Sequence, residues 1–204
     1  MPKSPRTQSI NPTATQRIIA SARRHFFAHG FRSVTMDDLA RELGMSKKTL
    51  YASFRAKSFL LKAVIEDKLQ NIETDLHRST ADCSDISRVL HDLLACLQRH
   101  TGEIQPPFVR DIQREPELFT MVENRRRILI RRYFGKFFDQ ARKTGMVRKD
   151  IAATIITEML LASVQAILNP GRMTELGLTP RTGFTAIITV ILEGVLAQAK
   201  RPRS

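Results

Sequence analysis

The chain has 204 residues, with 33 Lys and Arg against 20 Asp and Glu and a formal charge of +13. That length holds one domain, or a small one joined to a larger one, and buries a core without a staple of disulfides or metal. Glu158 and Glu193 interrupt the two most apolar stretches, so no run of about 20 uncharged apolar residues remains and no membrane span is expected.

Residues 1–12 place Pro2, Pro5 and Pro12 among Ser, Thr, Gln and Lys, which reads as a disordered basic arm. With no apolar h-region, it is not read as a secretory signal. Beyond it the apolar residues recur at helical spacing, and no convincing two-residue alternation occurs; the expectation is an all-α protein. The first helix is predicted over about residues 13–29, with Ile18, Ala22 and Phe26 on one face. Gly30 supplies a left-handed stop, and Phe31 folds back on Phe26. A short second helix opens at Thr35, an N-cap with Asp38 at N3, buries Leu39, Ala40 and Leu43, and ends at Gly44. Ser46 caps a third that reaches about Ser53. Further helices are predicted over about 57–76, 85–101, 108–114, 117–143, 150–168 and 182–200. Gly or Pro punctuates the breaks between them, including 169–180.

Chemistry-bearing clusters are scarce. Cys83 and Cys96 stand without a zinc-spaced partner and read as reduced core residues, with a disulfide as the alternative. His25 and His29 share a helix face at i, i+4 but have no acidic or Cys neighbour in sequence, so they read as surface or capping residues. No HExxH, nucleophile motif or phosphate loop occurs; neither an enzyme nor a metal or cofactor is expected.

Charge is more informative. The first 60 residues hold eleven Lys and Arg against three acids, a balance of +8 out of the +13. Such a field suits a polyanion, either nucleic acid or an anionic membrane surface. The cations are arranged around a glycine turn and helix caps rather than along one amphipathic helix, which weighs against the membrane.

The segment Thr35–Leu61 reads TMDDLARELGMSKKTLYASFRAKSFLL. Two short helices join through Gly44-Met45-Ser46, with Leu39, Leu43, Met45, Leu50 and Phe54 as the seam and small Ala40 at the crossing. The other side of the third helix presents Lys48, Thr49 and Ala52, flanked by Lys47, Tyr51 and Ser53. A helix with that short, hydrogen-bonding face suits a major groove about 12 Å wide.

From Phe26 to Leu61 the sequence resembles the DNA-binding domain of the TetR family of bacterial ligand-responsive transcriptional regulators. The resemblance rests on Gly30, Thr35, Leu39-Ala40, Gly44-Met45-Ser46, Thr49-Leu50-Tyr51, Phe54, Lys57 and Leu60-Leu61. It implies a helix-turn-helix DNA-binding domain over 13–58 and a helical ligand-binding and dimerisation domain over 59–204, in a cytoplasmic regulator, usually a repressor. Carried over by position, Lys47, Lys48, Thr49, Ala52 and Ser53 lie at or near the base edges of a double-stranded operator, and Ser46 is counted with them among the DNA-binding residues. Thr35, Tyr51 and Lys57 hold phosphates. Asp37 is left out, because an acid pairs with neither guanine nor phosphate.

The two last helices show wide apolar faces, through Ile155, Met159 and Ala162 on one and Ile188, Ile191 and Val195 on the other. Those faces serve either the monomer core or an interface between copies; the resemblance implies a homodimer. The stripe Phe108, Phe119, Phe134 and Phe138 reads as core or as pocket, and the resemblance implies a cavity there for an apolar or amphipathic small molecule. The basic run Arg125-Arg126-Arg127 with Arg131 and Arg132 reads as a solvated surface, with an anionic ligand or a second phosphate contact as the alternatives.

Overall fold

The computed structural model describes residues 13–81 and 85–196, which form eleven α-helices and a π-helical segment, with no β-strand among them. The predicted basic arm, Cys83 and residues 197–204 lie outside the described residues.

α1 (Ala14–His29) begins at a capping box in which Thr13 accepts from the Gln16 N–H and the Gln16 side chain accepts from the Thr13 N–H. It stops at Gly30, whose φ of 88° is positive as expected but whose ψ of 151° is extended rather than left-handed helical. A Cβ there would sit 2.7 Å from an Asp111 carboxylate oxygen, so glycine is needed for close approach as well as for φ. Phe31 does return onto Phe26, edge to face at 5.4 Å between centroids.

α2 (Met36–Glu42) and α3 (Lys47–Ser53) follow, capped by Thr35 and Ser46. α4 (Lys57–Ser79) is 23 residues, about 34 Å at 1.5 Å per residue. Its first turns place Leu60, Leu61, Val64 and Ile65 in the same core as Ile18, Phe26, Leu39 and Leu50. Its far end puts Leu76 in a second, larger core. The division expected after residue 58 therefore falls in a helix that serves both cores.

The chain continues through α5 (Ile86–Gly102), α6 (Pro106–Ile112), α7 (Pro116–Leu129), the π segment Ile130–Phe134, α8 (Gly135–Thr144), α9 (Ala153–Ile167), α10 (Pro170–Glu175) and α11 (Pro180–Val195), of which α6 buries Phe108 and Ile112 in the first core and the rest surround the second. Leu93, Phe134, Phe138, Leu160 and Val164 are fully or almost fully buried in that second core. Three sequence expectations need correction. The stretch expected as one helix over 117–143 passes through a π turn at 130–134. The break expected at 169–180 contains α10, because Asn169 caps it and Pro170 sits at N1, where proline is pre-organised. α6 starts two residues before its expected start for the same reason, with Pro106 and Pro107 in its first turn.

The apolar face read on the last helix turns into its own chain. Ile188, Ile191 and Val195 are only 3%, 9% and 8% exposed and fill their own chain's core, where α11 packs on α9 and α5. Periodicity located an apolar face but not what it faces. The apolar residues left outside are Ile155 (54%) and Met159 (58%) with Ala162 on α9, and Val190 (71%) on α11.

Candidate nucleic-acid interface and its cavity

Leu50 and Phe54 anchor α3 inward, and Gly44, at φ 61°, turns the chain between α2 and α3. Anchoring on that side leaves Lys47, Lys48, Thr49, Tyr51, Ala52 and Ser53 all exposed. Ser46 accepts from the Thr49 N–H at 3.1 Å, and the two hydroxyl oxygens lie 2.9 Å apart. The two lysines differ. Lys47 Nζ donates to Asp37 at 2.6 Å, whereas Lys48 has no ion pair among the described residues. Asp37, unassigned in the sequence reading, is thus the counter-ion of one expected DNA contact.

Two of the expected phosphate holders are already engaged. The Thr35 hydroxyl donates to Asp38 Oδ2 at 2.5 Å and accepts the Asp38 N–H at 3.1 Å. Its proton is committed to the cap, and the bonds that the Thr35 hydroxyl and N–H donate to the Asp38 carboxylate hold that carboxyl below its ordinary pKa. Lys57 Nζ donates to the Val34 carbonyl at 2.9 Å and the Arg32 carbonyl at 3.4 Å, and lies 4.6 Å over the Phe31 ring. Burial pulls its pKa down, opposed by Asp111. This lysine braces the α1–α2 connection against α4. Tyr51, the third, is 45% exposed.

The expectation that His25 lacks an acidic partner is corrected. Glu42, 17 residues on, bonds His25, Arg24 and Ser21 together, joining α1 to α2. Burial pushes the Glu42 carboxyl up, but the Ser21, His25 and Arg24 bonds prevail and its pKa is lowered.

A cavity of about 210 Å³ lies where the two cores meet, walled mainly by apolar side chains. Phe108, Phe119 and Phe134 line it; Phe138 does not, being fully buried and packed against Phe134 and Phe137. Phe27 of α1 also lines it, so one wall belongs to the unit that carries α3. Sequence reading missed the polar part of the lining, namely Lys68, His100, Thr101, Glu123 and Arg126. Lys68, 4% exposed, donates to Glu103 at 2.7 Å and faces the Phe27 ring at 5.7 Å. Burial lowers its pKa against the opposing effect of Glu103. No local pattern announces it, because its partner is 35 residues away.

The arginine run is mostly structural. Arg125 and Arg132 bond Glu73, Arg131 grips Glu158 at 2.8 and 3.0 Å, and Arg126 reaches Glu123 at 2.5 Å. Only Arg126 lines the cavity.

Residues 18–64 match the family described as bacterial regulatory proteins, tetR family. The chain is 42% identical over 67 residues to the HTH-type transcriptional regulator YvaF of Bacillus subtilis, covering 31% of this chain and 35% of that protein. It is 27% identical over 162 residues to the HTH-type transcriptional regulator UidR of Escherichia coli, covering 77% of this chain and 80% of that one. The fold resembles a transcriptional regulator from Saccharomonospora viridis solved in complex with choline, with TM-score 0.69 and 16% identity, over 91% of this chain and 98% of the other.

Proposed function

We propose, from the match of residues 18–64 to the tetR family of bacterial regulatory proteins, that the chain is a transcriptional repressor whose dimer binds a palindromic operator and leaves it when a small molecule fills the cavity. The observation that carries the DNA half is the sidedness of α3, with Leu50 buried and Lys47, Lys48, Thr49, Tyr51, Ala52 and Ser53 all outward. A short helix so anchored presents its first turns to base edges, and a dimer reads half-sites about 34–36 Å apart per helical turn. Lys48 and Thr49 are the base readers in this proposal, with Lys47 shared between DNA and Asp37. Ser46 positions Thr49.

The ligand half rests on the cavity. Its apolar lining by Phe108, Phe119 and Phe134 suits an apolar or amphipathic effector. Choline is not carried over from the Saccharomonospora regulator, since Lys68 and Arg126 place two cations in this wall against one acid, Glu123. With Phe27 in the wall, a ligand that displaces α1 also displaces the helix-turn-helix unit packed on it. A coupling of about 1–3 kcal/mol is enough to change operator affinity 5–150-fold.

The test is selection of bound sequences from a random duplex pool, followed by binding to the recovered site. Enrichment of an inverted repeat, lost with Thr49→Ala, is the expected result. Enrichment of no sequence, or of one that Thr49→Ala binds equally well, would overturn the assignment of α3 as the reader.

A further inference from the structure

We propose that Asp75, Cys96 and His100 form a binding site for a borderline-soft divalent cation of the Zn²⁺ class between α4 and α5, at the part of the cavity wall that His100 lines. Cys96 and His100 are i, i+4 on α5 and share one face; Asp75 comes from the facing α4. One ligand atom from each lies within 4.8 Å of the other two. Cys96 is 1% and His100 7% exposed, so two of the three donors are withdrawn from water. Thiolate, imidazole and carboxylate are the three donor types that Zn²⁺ takes, and three protein ligands leave a fourth position open.

The imidazole has capacity to spare. His100 Nε2 lies 3.0 Å from Asp75 Oδ2, and Nδ1 is buried with no hydrogen-bond partner. An unpaired buried nitrogen is costly in a structural histidine and is accounted for when the ring serves as a ligand.

Charge also closes. On binding, the Cys96 thiol releases its proton to solvent as the metal–sulfur bond forms, and the Asp75 carboxylate exchanges Arg99 for the cation. Thiolate and carboxylate together neutralise a divalent ion. Burial, then Asp75, holds the Cys96 thiol protonated, but a coordinating thiol is deprotonated by the metal itself. The surrounding cations do not block this. Lys68 is paired with Glu103, while Arg99 and Arg78, which hold Asp75 at 2.9 and 3.2 Å, are 61% and 76% exposed and free to swing into water. Because α4 runs from the helix-turn-helix unit to this site, an ion here would pin the helix that joins the two cores.

The test uses Co²⁺ as the spectroscopic probe on the full chain in a Cys83→Ser background, so that Cys96 is the only thiol. One equivalent should give visible d–d absorption with a near-ultraviolet thiolate-to-cobalt band, displaced by Zn²⁺. Cys96→Ser should abolish that band, and Asp75→Asn, which leaves the core intact, should keep it at an affinity lowered about 10-fold or more. Absence of the thiolate band, its persistence in Cys96→Ser, or unchanged affinity in Asp75→Asn would each overturn the site.

Discussion

The Phe27 ring of α1 meets the Phe108 ring of α6 at 4.7 Å between centroids, tilted by 59°. Both residues line the cavity, and the Gln105 N–H donates to the Phe27 carbonyl at 3.0 Å. α6 thus packs in the core of the helix-turn-helix unit although it follows α5 in the chain.

From this pair we expect a double-mutant cycle of Phe27→Leu and Phe108→Leu to give a coupling of about 0.5–1.5 kcal/mol in urea unfolding. Additive single effects would mean that the two rings stabilise α1 and α6 independently of each other.

Lys48→Ala should lower the slope of log affinity against log salt by about one, as for a lost phosphate or base contact from a free cation. Lys57→Ala should instead leave the slope unchanged and lower the unfolding free energy by about 1–3 kcal/mol, because its ammonium already serves two carbonyls and the Phe31 ring. Salt titrations of DNA binding beside urea midpoints check both. A reduced slope for Lys57→Ala with unchanged stability would restore it as a phosphate contact.

Asp37→Asn removes the partner of Lys47 and one negative charge from the α2–α3 face. It should strengthen binding to non-specific duplex and steepen its salt slope by about one. Fluorescence anisotropy against a scrambled duplex checks this, and an unchanged slope would mean that Lys47 keeps away from DNA in either form.

Much of this was legible in local sequence. Thr35 and Ser46 act as caps, Gly44 turns the chain, and Leu50 with Phe54 fixes the outward side of α3. All of these depend on neighbours within four residues. What stayed hidden depends on distant partners, such as His25 with Glu42, Lys57 with the Val34 carbonyl, and Lys68 with Glu103. The same limit explains Phe138 and Ile188, since periodicity reveals an apolar stripe without saying whether it meets a cavity, a second copy or its own core.

Acid should loosen the joint between α1 and α2. The Glu42 carboxyl has its pKa lowered in the folded chain, so its contribution is present above the unfolded value and is lost as pH falls through the folded one. Glu42→Gln should therefore flatten the fall of stability on the acidic side of that window. Urea midpoints measured from neutral pH downward in both proteins make the comparison, and parallel curves would remove Glu42 as the cause.

The apolar residues of α9 and α11 divide into an exposed set and a core set. Ile155 and Met159 recur at i, i+4 and Val190 lies outside on α11, while Ile188, two residues away, is 3% exposed. If copies pair through the outer face, Met159→Arg and Val190→Arg place charge against charge across a two-fold axis. Both should sediment as folded monomers, with far-ultraviolet circular dichroism unchanged and operator affinity sharply reduced. Ile188→Ala should behave in the opposite way, losing about 2–5 kcal/mol of stability through a core cavity while still dimerising when folded. A wild-type dimer in both arginine variants would move the interface off this face. Monomerisation by Ile188→Ala without loss of stability would return the interface to the inner residues of α11.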